Sequence, residues 1–471
     1  MASDDSDAWR EAFTAAIADV GDGMTYRQAA DRLRAVIRTG LLGLTDIVER
    51  PHRFFEAHRL IARQATRLGP GFFIRFTVHY NLFAGTVVAL GTREQIAALL
   101  ARNKQRARLG CFGLTELLAG VNSGLVVETT ATFDAASNEF VINTPNPGAA
   151  KNWISQGLVA DEGVVVASLT VNGKKFGPQA FLVQFRDDAG TLLPGIQAVD
   201  MGRKTVGNDL DNARLTFTKV RVPRSALLSR YLEVRADGSV VQPNGQHRTM
   251  EMIGQRLFTG RVAVAYAALE FTKSLFANCH AFADQKPCWA PNGRRPSLNE
   301  VPQINAIFQD GNRQLGQLFS FVSQVEKQLA DCLRSDRIPP LGLQQAIAVA
   351  KVKAVETSIA LCFALKQEVG SYALMAGTGF EQMDFLQCCK FAEGDSRILM
   401  QKMARDIVRS GPRNASESAA LKKLQQSMKA SGNTDKAAAW DAAWREVYGL
   451  ADAHMSVILQ SFGVATLSSR L

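Results

Sequence analysis

The sequence predicts an α+β protein whose helices and strands are segregated along the chain: an N-terminal helical domain, a central β domain and a C-terminal helical bundle. Three observations predict it. Apolar residues step by three and four before residue 109, gather in short β-branched runs over 110–236, and return to helical spacing from 248. Helices followed by strands followed by helices argue for separate layers, against an alternating doubly wound sheet.

Residues 1–109 form the first domain, where Trp9, Phe13, Ile17 and Val20, then Ala30, Leu33, Val36 and Ile37, mark one face of successive helices. In 110–236, Val126 to Phe133 and Glu139 to Asn143 flank the turn-prone Asp134–Asn138 and read as a hairpin. Val164 to Val171, Ala180 to Phe185 and Arg214 to Val222 are further strand runs, punctuated by Gly173, Gly177, Pro178, Pro194 and Pro223. A polar linker, Asp237 to His247, leads into 248–411. There Met252 to Phe276, Val301 to Arg334, Leu341 to Met375 and Ser396 to Val408 are long enough for four packed helices. Residues 412–471 read as a polar linker, Pro412 to Lys436, before an extra C-terminal helix around Ala437 to Gln460.

With 46% apolar and 21% charged residues, the composition is that of an ordinary globular protein. No uninterrupted apolar run approaches the ~20 residues that span a bilayer, so no membrane span is expected. The acidic start, Met1 to Asp7, lacks the apolar core of a secretory signal. Seven cysteines without C-x-x-C spacing predict neither a disulfide framework nor a metal site. The net charge of +10 suits a phosphate-bearing ligand. The basic stretches Arg102 to Arg108 and Arg221 to Arg235 carry no ladder of aromatics, which argues against nucleic acid and leaves a solvated basic surface as the plain alternative. Ser469-Arg470-Leu471 resembles the tripeptide read by the peroxisomal import receptor.

Several elements carry candidate chemistry. Glu393, in Phe391-Ala392-Glu393-Gly394-Asp395, stands at a helix entrance where it reads either as a general base or as a favourable end charge worth only ~0.3–1 kcal/mol. Thr115 offers a hydroxyl beside loop amides. Trp153 and Ser155 supply a flat aromatic and a hydroxyl two residues apart, hence on one strand face; a core tryptophan is the alternative. Gly377-Thr378-Gly379 allows close backbone approach to a phosphate, but the run lacks G-x-G-x-x-G and follows a helix, so it is no dinucleotide fingerprint.

As an ordered set these stretches resemble the acyl-coenzyme A oxidase branch of the acyl-coenzyme A dehydrogenase superfamily, from about Arg50 to Arg409. The likeness is carried by Arg53 to His58, Asn81 to Thr86, Gly110-Cys111-Phe112-Gly113-Leu114-Thr115-Glu116, Glu128 to Ala131, Glu139 to Pro145, Lys151-Asn152-Trp153-Ile154-Ser155, and Asp211 to Phe217 running into Val220 to Arg224. The resemblance implies a β-barrel-like central domain and a C-terminal four-helix bundle around FAD. Thr115 and Ser155 would meet the flavin ring with Trp153 packed near it, and Gly377, Thr378 and Gly379 would approach the diphosphate. Asn122, Asp211, Asn212 and Arg261 would lie along the bound thioester, and Glu393 would be the catalytic base. It further implies a peroxisomal homodimer that oxidises acyl-coenzyme A to the trans-2-enoyl thioester and reduces oxygen to peroxide. The alternatives are a dehydrogenase serving an electron-transfer flavoprotein, or a non-catalytic acyl-thioester-binding homologue. The chain departs from the family where relatives carry an Arg-rich diphosphate grip: it reads Ala283-Asp284-Gln285-Lys286-Pro287.

Overall fold

Short helices built on buried aromatics open the chain. A computed structural model describes residues 7–18, 23–68, 70–119, 126–243 and 249–464. Asn122 and Ser469-Arg470-Leu471 lie outside these residues. Among the described residues eight α-helices come first: α1 (Asp7–Ile17), α2 (Tyr26–Arg38), α3 (Asp46–Glu49), α4 (Pro51–Ala62), α5 (Ala65–Leu68), α6 (Gly71–Thr77), α7 (Gly85–Leu90) and α8 (Arg93–Gln105). Thr25 and Thr92 start α2 and α8 with reciprocal capping boxes to Gln28 and Gln95, which satisfies two otherwise orphaned amides at each end. The predicted apolar stripe of α1 is buried as expected at Trp9, Phe13 and Ile17.

Between α6 and α7 the helix widens to a π-helix over Val78–Ala84. That turn brings His79 Nδ1 to 3.2 Å from the Gly110 amide, which donates to it. The whole run Gly71–Leu90 is apolar and long enough to cross a membrane by composition, but 89% of its most apolar stretch is buried inside the protein.

The central region contains β1 (Gly110–Gly113), β2 (Thr130–Asp134), β3 (Glu139–Asn143), β4 (Lys151–Ser155), β5 (Glu162–Val171), β6 (Lys174–Gln184), β7 (Ile196–Asp200), β8 (Asn212–Phe217) and β9 (Val220–Pro223). One sheet runs β1-β5-β2-β3-β9 with β6 on β5, and a second runs β4-β8-β7. Their facing residues, among them Phe140, Val165, Leu169 and Phe181 against Ile154, Ile196, Leu215 and Phe217, form one core. The expected hairpin is present, with Thr130 to Asp134 paired antiparallel to Asn143 to Glu139. The single predicted run Arg214 to Val222 is two strands in different sheets. Lys219, at φ 49°, turns the chain between them, a reversal that strand texture alone does not signal. The expected linker also opens with structure, a small hairpin of β10 (Glu233–Val234) and β11 (Val240–Val241).

The remaining helices are α9 (Thr249–Gln285), α10 (Pro302–Arg334), α11 (Leu341–Glu368), α12 (Asp384–Phe391), α13 (Ser396–Ser410), α14 (Ala415–Ala430), α15 (Lys436–Ala442) and α16 (Trp444–Ser461). The polar segment after Pro412 is therefore a helix, not a linker. Asn414 caps α14 through the Glu417 amide, and a narrow stripe around Leu424 packs with Ala404, Ile407, Val447 and Leu450. Residues 1–263 with 330–338 form one compact unit, and 264–329 with 339–471 form the other. The seven cysteines form no disulfide, and Cys389 is core.

Candidate active site

In the first unit, the exit of β1 runs beside β4. The Asn152 amide donates to the Thr115 carbonyl at 2.9 Å, and Glu116 bridges Lys151. Lys151 is fully buried. Its Nζ donates to Glu116 Oε1 at 2.8 Å, to the Val166 carbonyl at 2.7 Å and to the Leu114 carbonyl at 3.2 Å. Both Glu116 oxygens accept more, from the Glu128 and Thr129 amides at 2.6 and 2.9 Å. Burial pushes the Lys151 ammonium down to about 8 against the pull of Glu116. Burial alone would raise the Glu116 carboxyl, but Lys151 and the two amides outweigh it and hold it low. The pair is charged near neutrality, and Thr115 is held between its two anchored neighbours.

Trp153 and Ser155 do not share a simple strand face. A bulge interrupts β4 between Lys151 and Ile154, and Trp153 takes a left-handed φ of 59°. The turn sends the indole outward, 56% exposed, so the core-tryptophan alternative also fails. An exposed indole in an uncommon backbone conformation, with the Thr115 and Ser155 hydroxyl residues on the paired segments, fits the aromatic ring of a flavin.

Asn212 Nδ2 donates to Ser155 Oγ at 3.1 Å, which joins an expected thioester residue to an expected flavin residue. Asp211 is otherwise placed. Its carboxylate accepts from Arg75 at 3.0 Å and from the Leu158 amide at 2.6 Å, with no exposure of its side chain or that of Arg75. Arg75 also donates to Gln156 Oε1 at 3.0 Å, and Gln156 Nε2 to the Gly110 carbonyl at 2.7 Å. Both Asp211 oxygens are thus engaged inside the fold, and the residue braces the β1–β4 junction instead of facing a ligand. Arg261, half-buried on α9, lies over the Phe258 ring at 5.4 Å.

In the second unit, Gly377 and Gly379 have φ of 83° and 92°, so the loop needs glycine at both positions. Its amides already have an anion. Glu381 accepts from the Gly377 amide at 2.6 Å and the Gly379 amide at 2.9 Å, while the Thr378 hydroxyl donates to the Met375 carbonyl at 2.9 Å. The expected approach of a diphosphate therefore meets a carboxylate seated on the same donors. The loop fits that group only if the exposed Glu381 side chain withdraws. In the altered stretch, Asp284 pairs with His280 at 3.0 Å and accepts from Asn299 at 2.9 Å, which ties the end of α9 to its own loop.

Glu393 occupies the short connection between α12 and α13. It is 9% exposed and left-handed at φ 57°, followed by Gly394 at φ 97°. Asp395 caps α13 by accepting from the Arg397 amide at 2.7 Å. Lys351, fully buried on α11, donates to the Lys390 carbonyl at 2.5 Å, the Gly394 carbonyl at 2.9 Å and Ser396 Oγ at 3.1 Å.

Sequence reasoning missed Arg75, Lys151, Lys351 and Glu381. A basic residue inside an otherwise apolar run was the available signal for Arg75 and Lys351. Nothing local marked Lys151 or Glu381.

No family model matches the chain. Acyl-coenzyme A oxidase 2 of Yarrowia lipolytica is 31% identical over 369 residues, 72% of this chain and 51% of that protein. Peroxisomal acyl-coenzyme A oxidase 2 of Arabidopsis thaliana is 35% identical over 238 residues, 48% of this chain and 33% of that protein. The chain thus spans about half the length, or less, of these curated relatives. Caenorhabditis elegans acyl-CoA oxidase-2, solved with FAD, ascaroside-CoA and ATP, superposes with a TM-score of 0.76 at 20% identity, covering 97% of this chain and 75% of that one. At that identity the match speaks for the fold, and it agrees with a chain order of helices, then strands, then helices.

Proposed function

Because the chain belongs to the acyl-coenzyme A oxidase/dehydrogenase superfamily, we propose that it is an FAD-dependent acyl-coenzyme A oxidase of fatty acid β-oxidation. The observation that carries this reading is Glu393: a largely buried carboxylate held left-handed between two helices. FAD, when bound, supplies the hydride acceptor and delivers the electrons to dioxygen. The protein's own part is to bind, orient and move one proton. Thr115, Trp153 and Ser155 would hold the flavin ring, with Asn212 fixing the Ser155 hydroxyl. Glu393 would remove the α-proton of the acyl thioester. An apolar acyl chain would displace water from this carboxylate, and desolvation disfavours its charged form and so strengthens it as a base.

The test is reduction of the bound flavin by an acyl thioester without oxygen, followed by air. Rapid reoxidation with stoichiometric peroxide is the expected outcome, whereas a reduced flavin that persists in air points to a dehydrogenase. Glu393→Gln should keep the flavin and the fold but lose flavin reduction by at least ~10²-fold, the scale of a general base. A peroxisomal location belongs to the same reading, supported by the name of the Arabidopsis relative, and so does a homodimer, which the family resemblance implies.

One observation favours a second reading. With Glu381 on the Gly377 and Gly379 amides, the protein could bind acyl thioesters without a tightly held cofactor. A visible spectrum decides: a band at ~450 nm in the purified protein excludes that reading, and a colourless protein that FAD cannot reconstitute sustains it.

A further inference from the structure

Lys351 is fully buried on α11, where apolar side chains are the rule. Burying an ammonium forfeits its hydrogen bonds to water and is costly unless its donors find partners inside. Its described partners all belong to one short stretch of chain. An ammonium has three donors. They go to the carbonyl of Lys390, the carbonyl of Gly394 and the hydroxyl of Ser396, at 2.5, 2.9 and 3.1 Å. These positions bracket Glu393 on both sides.

The backbone between them needs such a brace. Glu393 sits at φ 57°, a conformation that non-glycine residues adopt at a cost and keep only when their surroundings over-determine it. On its N-terminal side, α12 ends with the Ala392 amide on the Cys388 carbonyl at 2.9 Å. A cation on the Lys390 carbonyl complements that helix end. On the C-terminal side, Ser396 Oγ reaches back toward the Lys390 carbonyl at 3.4 Å, so the hydroxyl and the ammonium converge on one oxygen. The Lys390 side chain is separately tied to α11 through Glu356 at 2.7 Å, which fixes α12 against the helix that bears Lys351. If Glu393 returned to an ordinary helical or extended conformation, the Gly394 carbonyl would turn away from Lys351.

We propose that Lys351 is the positioning residue of the reaction: it holds the 392–395 connection left-handed and so aims the Glu393 carboxylate. This rests on the reading of Glu393 as the base. Lys351 touches no reacting atom and acts through the oxygens it holds, the Lys390 and Gly394 carbonyls and the Ser396 hydroxyl.

The test compares wild type, Lys351→Met and Ser396→Ala as full-length flavoproteins, by single-turnover flavin reduction with an acyl thioester and by amide hydrogen exchange. Lys351→Met should keep its flavin band and its KM within about threefold, while the rate of flavin reduction falls about 10- to 100-fold, as an ångström of misplacement does. Exchange at 392–395 should quicken while α11 and α12 stay protected. Ser396→Ala, which removes one of three partners, should fall between. Wild-type rate and exchange in Lys351→Met would overturn the proposal. So would an equal loss of flavin, substrate binding and helix protection, which would make the residue merely structural. If Lys351→Met does not fold, Ser396→Ala decides alone, and unchanged rate and exchange there overturn the proposal. If wild type itself reduces no flavin, the functional reading fails, and exchange at 392–395 still judges whether Lys351 holds the loop.

Discussion

The two fully buried lysines among the described residues do different work with the same chemistry. Lys151 in the first unit faces a carboxylate, Glu116, and both belong to neighbouring strand segments whose register they tie together. Lys351 in the second unit meets two carbonyls and a hydroxyl of one interhelical connection. In the first case the partner is itself a buried charge that needs its counter-ion. In the second the described partners are neutral, and removal of the lysine leaves them without that donor. A buried cation therefore reports mainly on stability when an anion depends on it, and mainly on geometry when the partners described for it are neutral oxygens.

Breaking the first pair should give the largest effect. Lys151→Met leaves the Glu116 carboxylate buried opposite a thioether, at a cost of about 3–5 kcal/mol, read as a lowered urea midpoint. Adding Glu116→Leu should recover only part of that, because the Glu128 and Thr129 amides lose their acceptor. Equal midpoints for wild type and Lys151→Met would erase the distinction between the two lysines.

Acid should weaken the Lys151 unit next. Burial pushes His58 and His79 from an ordinary 6.5 down to about 4 and about 3, so the unfolded chain binds two protons in this range that the folded chain refuses. Asp209 works the other way. Burial pushes its carboxyl up to about 6, so the folded state takes one proton before the unfolded state does. For these three groups the net is about one proton, and their joint contribution to stability should fall by about 1.4 kcal/mol per pH unit between roughly pH 6 and 4. Thermal unfolding across that range checks it; a flat profile would show that the histidines are not held neutral.

Lys351→Met should cost less, about 1–3 kcal/mol, the penalty for leaving buried oxygens without a donor. If its midpoint falls as far as that of Lys151→Met, the contrast between charged and neutral partners is wrong. Smallest of all, Trp153→Ala should change the midpoint by less than about 0.5 kcal/mol, since the indole is 56% exposed, yet should weaken flavin retention.

Much of the fold was legible because local periodicity follows burial. The predicted start of α11 at Leu341 and the strand Glu139–Asn143 match the structure, as does the stripe Trp9, Phe13 and Ile17. Legibility ended where a turn or a thin stripe decides. Lys219 splits one β-rich run between two sheets, and α14 hides in polar sequence because its buried face is only a few residues wide. The candidate site divides the same way. Thr115, Trp153, Ser155 and Glu393 stand out in sequence order. The exposure of Trp153, the capture of Asp211 by Arg75 and the seat of Glu381 on Gly377 and Gly379 do not.

By itself, the sequence determined the order of helical and strand regions and nominated the residues with reactive side chains, since both depend on residue type and near-neighbour spacing. Tertiary structure alone decided which charges are buried and against what. Lys151 reaches Glu116 across 35 residues and Lys351 reaches Gly394 across 43. Contacts at that separation exist only once strands have paired and helices have packed, because the desolvation that makes them matter is absent from the extended chain.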